Sequence, residues 1–250
     1  MTTPATQLVQ IEKPVYGGTF LARVEGKAVF VPLTLPGERV CVRMVEEKRG
    51  YSTAEVESVA TAAPERVVPA CRYFGACGGC TYQHTDYATQ LKFKQAILRE
   101  TLARGGVDVP AEIEVLAAEP WGYRNRIRLA LDAEGNVGYR GRRSHAVVAI
   151  EACPIAAPLL METSRAFAEK ARTLVPVLRP TEIALFCNAD ETALIASVFL
   201  ARSAQTRCDE FAGALADRIP ALKGMEFVVE GSGEKHGNAK EPRIVARWGA

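Results

Sequence analysis

Five short runs in which apolar side chains alternate with polar ones occupy the stretch from Leu8 to Val59: Val9–Glu12, Phe20–Val24, Ala28–Val31, Val40–Met44 and Ala54–Glu57. Between them stand turn signals at Gly17-Gly18, Glu25-Gly26, Pro36-Gly37 and Arg49-Gly50. A period of two belongs to strands, whose successive side chains point to opposite faces, and a chain broken this often by glycine does not continue as helix. Strands this short leave raw sheet edges unless the sheet closes on itself. A small closed β-barrel over residues 1–62 is therefore expected.

The remainder changes character. Residues 63–84 begin as an aperiodic linker with Pro64 and Pro69 and pass into a cysteine-rich loop at Cys71 to Cys80. A helix should start at Thr85 or Asp86 as N-cap, place Tyr87, Leu91, Leu98 and Leu102 on one buried side, and stop at Gly105-Gly106. Beyond it, a hairpin joins Tyr123–Asp132 to Val137–Arg140, a helix covers Pro158 to Leu174, and a second hairpin joins Glu182–Cys187 to Thr192–Leu200. A helix near Gln205 to Ile219 and strands Glu226–Glu230 and Arg243–Trp248 complete the pattern. No parallel strand-helix-strand crossover is obvious, so residues 85–250 read as α+β built on antiparallel pairs. The fold class is mixed β and α+β.

With 48% hydrophobic and 24% charged residues and no long polar tract, the whole chain is expected to fold. The opening Met1-Thr-Thr-Pro has no basic stretch followed by an apolar run, and no uncharged apolar segment is long enough for a bilayer, which predicts a cytoplasmic protein without a membrane partner. A cytosolic chain keeps its thiols reduced, so clustered cysteines point to metal binding or catalysis rather than disulfides.

Cys71, Cys77 and Cys80 form a C-x5-C-G-G-C run, and Cys153 stands before Pro154. Three thiolates within ten residues, with glycines that let the backbone wrap closely, make a cradle that a remote Cys-Pro can complete. A [4Fe-4S] cluster held by Cys71, Cys77, Cys80 and Cys153 is the first expectation. A four-cysteine zinc site is the open alternative, although zinc more often uses two C-x2-C knuckles. A radical-generating cluster fits less well, because it leaves one iron without a protein ligand. Cys41, Cys187 and Cys208 read as buried small apolar residues. His84, just after the loop, is expected to hydrogen-bond locally rather than bind metal.

The run Trp121-Gly-Tyr-Arg124-Asn125-Arg126-Ile-Arg128-Leu129 is the second candidate site. On a strand, Arg124, Arg126 and Arg128 share one face at intervals of roughly 6 to 7 Å, with Tyr123, Ile127 and Leu129 on the other. Arg140, Arg142, Arg143 and His145 arrive on or after the partner strand, and only Asp132 and Glu134 at the turn oppose them. Guanidinium groups bind phosphate bidentately and stack on bases, so Arg124, Asn125, Arg126, Arg128, Arg140, Arg142, Arg143 and His145 are the expected RNA-binding residues. The net charge of +2 demands no such partner by itself. The glycine-rich run Gly231 to Gly237 leads into no helix and is read as a hairpin connection, not a phosphate loop.

Gly17-Gly18 through Phe30-Val-Pro-Leu-Thr-Leu-Pro36-Gly37-Glu38-Arg39-Val40 resembles a TRAM domain, an OB-like RNA-binding barrel. Cys71-Arg-Tyr-Phe-Gly-Ala-Cys77-Gly-Gly-Cys80-Thr-Tyr-Gln83-His84, Trp121-Gly-Tyr-Arg124-Asn-Arg126 and Cys153-Pro154-Ile155 resemble the cluster loop and central domain of iron-sulfur uracil-C5 RNA methyltransferases. The resemblance implies a [4Fe-4S] cluster, an RNA substrate (ribosomal first, transfer RNA second), and a monomer. In the complete enzyme it implies S-adenosyl-L-methionine as methyl donor. The family's acidic-Leu-Phe-Cys-Gly-x-Gly donor loop and its attacking cysteine are not found in these residues. The C-terminal methyltransferase domain is therefore expected to be absent and this stretch inactive by itself, with no catalytic residue assigned. A stand-alone RNA-binding iron-sulfur adaptor is the alternative.

Overall fold

The computed structural model describes residues 6–201, 207–229 and 242–249. They form two compact units, residues 1–75 with 80–118 and residues 76–79 with 119–250.

In the first unit, β1 (Thr6–Val15), β2 (Thr19–Val24), β3 (Lys27–Pro32), β4 (Arg39–Glu47) and β5 (Tyr51–Thr61) close a barrel in the order β1-β2-β3-β5-β4. Closure comes from β3 pairing parallel to β5, while the other neighbours are antiparallel. The interior is filled by the apolar positions of the alternating runs, among them Val9, Ile11, Phe20, Ala22, Val29, Val31, Val40, Val42 and Ala54.

Helix α1 (Tyr87–Arg104) belongs to the same unit. Its N-cap is Asp86, whose carboxylate accepts from the amide of Thr89 at 2.8 Å and from the Thr89 hydroxyl at 2.8 Å, satisfying a donor that the first turn leaves free. The expected apolar stripe is not the face that packs. Leu98 is 45% exposed, and the buried positions are Thr89 and Phe93. The reason is one ring: Phe93 meets Phe20 edge-on at 5.6 Å and Tyr82 at 6.1 Å, so its aromatic contact with the barrel core sets the rotation of the helix.

In the second unit a seven-stranded sheet runs in the order β12-β11-β10-β9-β6-β7-β8. The strands are β6 (Arg126–Leu131), β7 (Val137–Arg140), β8 (Val147–Ala149), β9 (Pro180–Cys187), β10 (Leu194–Leu200), β11 (Leu222–Val229) and β12 (Arg243–Gly249). Gly138 is required where β7 meets β8, since a Cβ there would stand 1.9 Å from the carbonyl oxygen of Val148. The buried face shows in one cross-strand row: Leu129 lies opposite Ile183, Ile183 opposite Val198, and Val198 opposite Phe227, all four at 1% exposure or less. Helices α2 (Pro158–Leu178) and α3 (Cys208–Ala216) cover that face, with Phe211 edge-on to Phe167 at 5.6 Å and to Phe227 at 6.3 Å.

The expectation of purely antiparallel pairing is corrected here. β10 and β11 are parallel, and α3 is the crossover between them. A helix of nine residues gives too little periodicity to mark a crossover. The Gly231 to Gly237 run and the start of the helix expected at Gln205 lie outside the described residues.

The barrel unit carries one buried ion pair. Glu38 is fully buried and accepts from the amides of Leu35 at 2.8 Å and Ala63 at 3.2 Å and from Arg66 Nε at 2.5 Å and Nη2 at 2.7 Å. Burial alone would raise its pKa, but the hydrogen bonds from Arg66, Ala63 and Leu35 outweigh that and hold it below the ordinary carboxylate value. A carboxylate with a lowered folded-state pKa stabilises the fold above its unfolded pKa, and that contribution is lost as pH falls through the folded value. Glu38→Gln should lower the unfolding free energy by about 2 kcal/mol near neutral pH, because charge-assisted hydrogen bonds are lost and Arg66 is stranded. Urea unfolding monitored by circular dichroism should show this gap narrowing as pH drops below about 4.5.

Candidate functional site

Arginines of β6 occupy the sheet face opposite the helices. Ile127 and Leu129 are buried at 3% and 0%, so period-two geometry turns Arg126 and Arg128 outward. Tyr123, expected on the buried side, is 58% exposed, because it precedes the strand and the alternation does not extend to it.

The outward face is crossed by two rows. Arg126 lies opposite Phe186, which lies opposite Ile195. Arg128 lies opposite Ala184, which lies opposite Ser197. Phe186 is 43% and Ile195 54% exposed, an aromatic and an aliphatic surface beside a guanidinium. The sequence reading did not single out these two. The signal was available in the parity of the Glu182–Cys187 run, where Glu182, Ala184 and Phe186 alternate with Ile183, Leu185 and Cys187.

The acids expected to oppose the arginines are not the ones that do. Asp132 spends its carboxylate on its own turn, accepting from the amides of Glu134 and Asn136 and from the Asn136 side chain. The counter-charge is Glu182 of β9, bonded to Arg128 Nε and, at 3.0 Å, to Arg140 Nη2. β6 pairs with β9 so that Ala130 faces Glu182, one step diagonal from Arg128, a neighbour no local pattern reveals. Arg128 also lies 4.1 Å over the Phe199 ring. Arg126 has no side-chain partner among the described residues. Asn125 is exposed at the side chain, and its carbonyl accepts from the Cys187 amide at 3.0 Å. Arg143 and His145 are exposed in the turn after β7, with Arg143 in left-handed backbone, and Arg142 is half-buried. Arg124 is half-buried, and its charge acts on the Tyr139 hydroxyl.

Cys71 and Cys80 belong to the barrel unit, Cys77 and Cys153 to the sheet unit, and all four are half-buried. In the barrel unit the Cys71 amide donates to Gln83 Oε1 at 3.1 Å, and Phe74 stacks on His84 at 5.5 Å. His84 is buried and its Nε2 lies 2.9 Å from the carbonyl oxygen of Thr34, the local role expected of it.

In the sheet unit, residues 76–79 run antiparallel to the end of the β7 ribbon. Cys77 bridges Gly141, the Gly78 amide donates to the Arg140 carbonyl at 3.0 Å, and the Arg142 amide donates to the Ala76 carbonyl at 3.0 Å. A Cβ on Gly78 would stand 3.0 Å from that Arg140 oxygen, so the glycine permits the approach. The Gly79 amide donates to Cys77 Sγ at 3.4 Å. Cys153 is fixed by its neighbours, since the Gly122 and Arg124 amides donate to the carbonyls of Pro154 and Ile155. Both cysteines act on the buried phenol of Tyr139. Burial pushes its phenol pKa well above the ordinary value, Cys153 and Cys77 push it the same way, and Arg124 opposes.

Among the described residues no three His, Cys, Asp or Glu side chains stand close enough together to hold a metal ion. What the residues offer an iron-sulfur group is soft thiol donors and the Gly79 amide directed at Cys77 Sγ, without a gathered set of ligands. The remaining cysteines differ: Cys187 and Cys208 are buried, as expected, with burial raising both thiol pKa values, and Cys41 is half-buried. Among the described residues no helix is long and apolar enough to cross a membrane.

Residues 3–56 match the TRAM domain model. Over longer stretches the chain is similar to proteins named 23S rRNA (uracil(1939)-C(5))-methyltransferase. It is 37% identical to that of Halomonas elongata over 66% of this chain and 35% of the relative, and 39% identical to that of Chromohalobacter salexigens over 70% and 37%. It is 36% identical to that of Methylococcus capsulatus over 74% and 43%. The chain thus spans well under half the length of these curated relatives. In fold it is similar to the Pyrococcus abyssi tRNA (uracil-54, C5)-methyltransferase solved with S-adenosyl-L-homocysteine, with a TM-score of 0.63 at 21% identity over 97% of this chain and 55% of the other. Residues 3–56 thus carry a TRAM domain, and the longer sequence matches make the chain similar to part of RNA (uracil-C5)-methyltransferases.

Proposed function

We propose that the chain is the RNA-binding, [4Fe-4S]-binding part of a uracil-C5 methyltransferase that acts on 23S ribosomal RNA in the cytoplasm as a monomer. Residues 1–62 serve as the TRAM barrel, 63–84 carry the cluster loop, and 85–250 form the central RNA-binding region. The methyl donor of the whole protein is S-adenosyl-L-methionine, and the work of residues 1–250 is to hold and orient the RNA.

The observation that carries the RNA reading is the row of Arg126, Phe186 and Ile195 on the uncovered sheet face. A guanidinium without a protein counter-ion attracts phosphate, and an exposed aromatic ring beside it stacks an unpaired base. Arg124, Asn125, Arg128, Arg140, Arg142, Arg143 and His145 extend the cationic surface around that row. Cys71, Cys77, Cys80 and Cys153 hold the cluster in this reading. A cluster with four thiolate ligands would leave no iron open to substrate.

Fluorescence anisotropy with a labelled hairpin RNA carrying unpaired uridines tests the face. Phe186→Ala should weaken binding about tenfold, since stacking on one ring is worth ~1–3 kcal/mol, and should leave the salt dependence unchanged. Arg126→Ala should reduce the slope of log affinity against log salt by about 1. Glu182→Gln should tighten binding by releasing Arg128 and Arg140. If neither Phe186→Ala nor Arg126→Ala changes affinity, RNA does not use this face.

Anaerobic purification tests the cofactor. The wild-type chain should carry iron and acid-labile sulfide in equal amounts, and Cys153→Ser should lose both. Stoichiometric zinc without sulfide would replace the cluster by the zinc alternative.

A further inference from the structure

Two glutamates stand on the outer sheet face among the described residues, and they differ in what holds them. Glu182 is gripped by the guanidiniums of Arg128 and Arg140. Glu226 of β11 is held by a neutral group, the Ser197 hydroxyl, which donates to its Oε1 at 3.0 Å. Arg247, its cross-strand neighbour on β12, is exposed, and no ion pair joins the two among the described residues. A carboxylate that keeps its charge on a surface for RNA repels phosphate, so a ligand that lies over it has to offer donors instead.

Its surroundings define where those donors come from. Met225 and Phe227, on either side of Glu226 in β11, are 2% and 0% exposed, which turns the half-buried Glu226 to the outer face. There, Ala184, Ser197, Glu226 and Arg247 continue the row that begins at Arg128, next to the row of Arg126, Phe186 and Ile195. Ile195 stands one strand over and two residues back from Glu226, roughly 8 Å away by strand spacing and rise. Gly224, opposite Ile195, puts no side chain in between. A flat ring resting on Phe186 and Ile195 therefore has one edge directed at Ser197 and Glu226. Ser197 spends its hydrogen on the carboxylate and Ala184 has no polar side-chain atom, so what this edge meets is a set of acceptors.

Among the RNA bases one edge fits such a set. Guanine carries N1–H and its exocyclic amine side by side, two donors spaced for the two oxygens of a carboxylate. Uracil sets its single N3–H between two carbonyls, and the amines of adenine and cytosine adjoin a bare ring nitrogen, so each of these turns a lone pair toward the carboxylate. We infer that Glu226 reads the Watson–Crick edge of an unpaired guanine stacked on Phe186 and Ile195, with Ser197 as the residue that positions the carboxylate. The inference rests on the reading of this face as an RNA surface and adds a base preference to it. Arg126 and Arg247, at opposite ends of the patch, are placed for the phosphates on either side of that nucleotide.

The test is fluorescence anisotropy on the full chain with labelled hairpin RNAs that differ at one loop position, which is guanosine, inosine, adenosine or uridine in an otherwise uridine loop. Inosine keeps N1–H and lacks the exocyclic amine. Wild type should bind the guanosine hairpin about tenfold more tightly than the inosine hairpin, the low end for loss of a hydrogen bond to a charged group, and the adenosine and uridine hairpins no better than inosine. With Glu226→Gln the guanosine and inosine hairpins should bind alike, while the uridine hairpin binds at least as tightly as before because a negative charge has gone. A merely repulsive glutamate would instead raise affinity for all four RNAs by the same factor and leave the guanosine-to-inosine ratio unchanged, which would overturn the inference. Equal wild-type affinity for all four hairpins, with Phe186→Ala still weakening binding, would overturn the role of Glu226 and leave the RNA face intact. Binding that neither Phe186→Ala nor Arg126→Ala affects would remove the RNA face and this inference with it. Should Glu226→Gln fail to fold, the wild type decides: equal affinity for the guanosine and inosine hairpins refutes the base contact.

Discussion

A slip of one residue between β6 and β9 would turn Arg126 and Arg128 into the layer under α2 and α3 and push Ile127 and Leu129 out to solvent. Strand geometry permits no intermediate, because side-chain direction alternates strictly. Burying an unpaired guanidinium costs several kcal/mol, and exposing two large aliphatic side chains forfeits roughly 1.5–3 kcal/mol each, so the register is strongly enforced. The pairing of Leu129 with Ile183 fixes it. From that single alignment follow the three features of the outer face: Phe186 beside Arg126, Glu182 within reach of Arg128 and Arg140, and Phe199 under the Arg128 guanidinium.

Glu182 then divides the arginines into two kinds. Arg128 and Arg140 share one carboxylate, and both guanidiniums remain half exposed. Ion pairs of that exposure are worth at most about 1 kcal/mol, so they order the side chains without removing their capacity for phosphate. Arg126 has no such competitor among the described residues. A surface built this way is pre-arranged at two positions and adaptable at a third, which limits the side-chain entropy lost on binding.

Legibility in the sequence followed the range of the interaction. The barrel strands were readable because alternation and turn glycines are local, and the Asp86 cap was readable because its partner, Thr89, is three residues away. The rotation of α1 was not, since it depends on Phe93 finding Phe20, a residue 73 positions earlier whose location only the closed barrel defines. Glu182 and Phe186 were missed for the same reason: their significance comes from pairing with a strand more than fifty residues upstream. The β10–α3–β11 crossover escaped because its helix is short, and β8 because three residues carry no period. The cysteines and arginines themselves were legible as residue types in a pattern. Which acid would oppose which base required the register.

The glycines of the cysteine motif illustrate how one local demand serves two sites. A cluster loop needs small residues so that backbone can wrap a metal centre, and on that argument alone Gly78 and Gly79 look interchangeable. They are not. Gly78 donates its amide to the Arg140 carbonyl and a Cβ on it would crowd that oxygen at 3.0 Å, whereas Gly79 directs its amide at Cys77 Sγ and a Cβ on it would make only an ordinary contact at 3.5 Å. Gly78 therefore binds the loop to the strand that ends in Arg140 and continues to Arg142 and Arg143, and the position of Cys77 is tied through the backbone to that of the cationic turn. Gly138 holds the same ribbon against β8 by close approach, so the ribbon is anchored to β8 on one side and to the Ala76–Gly79 segment on the other.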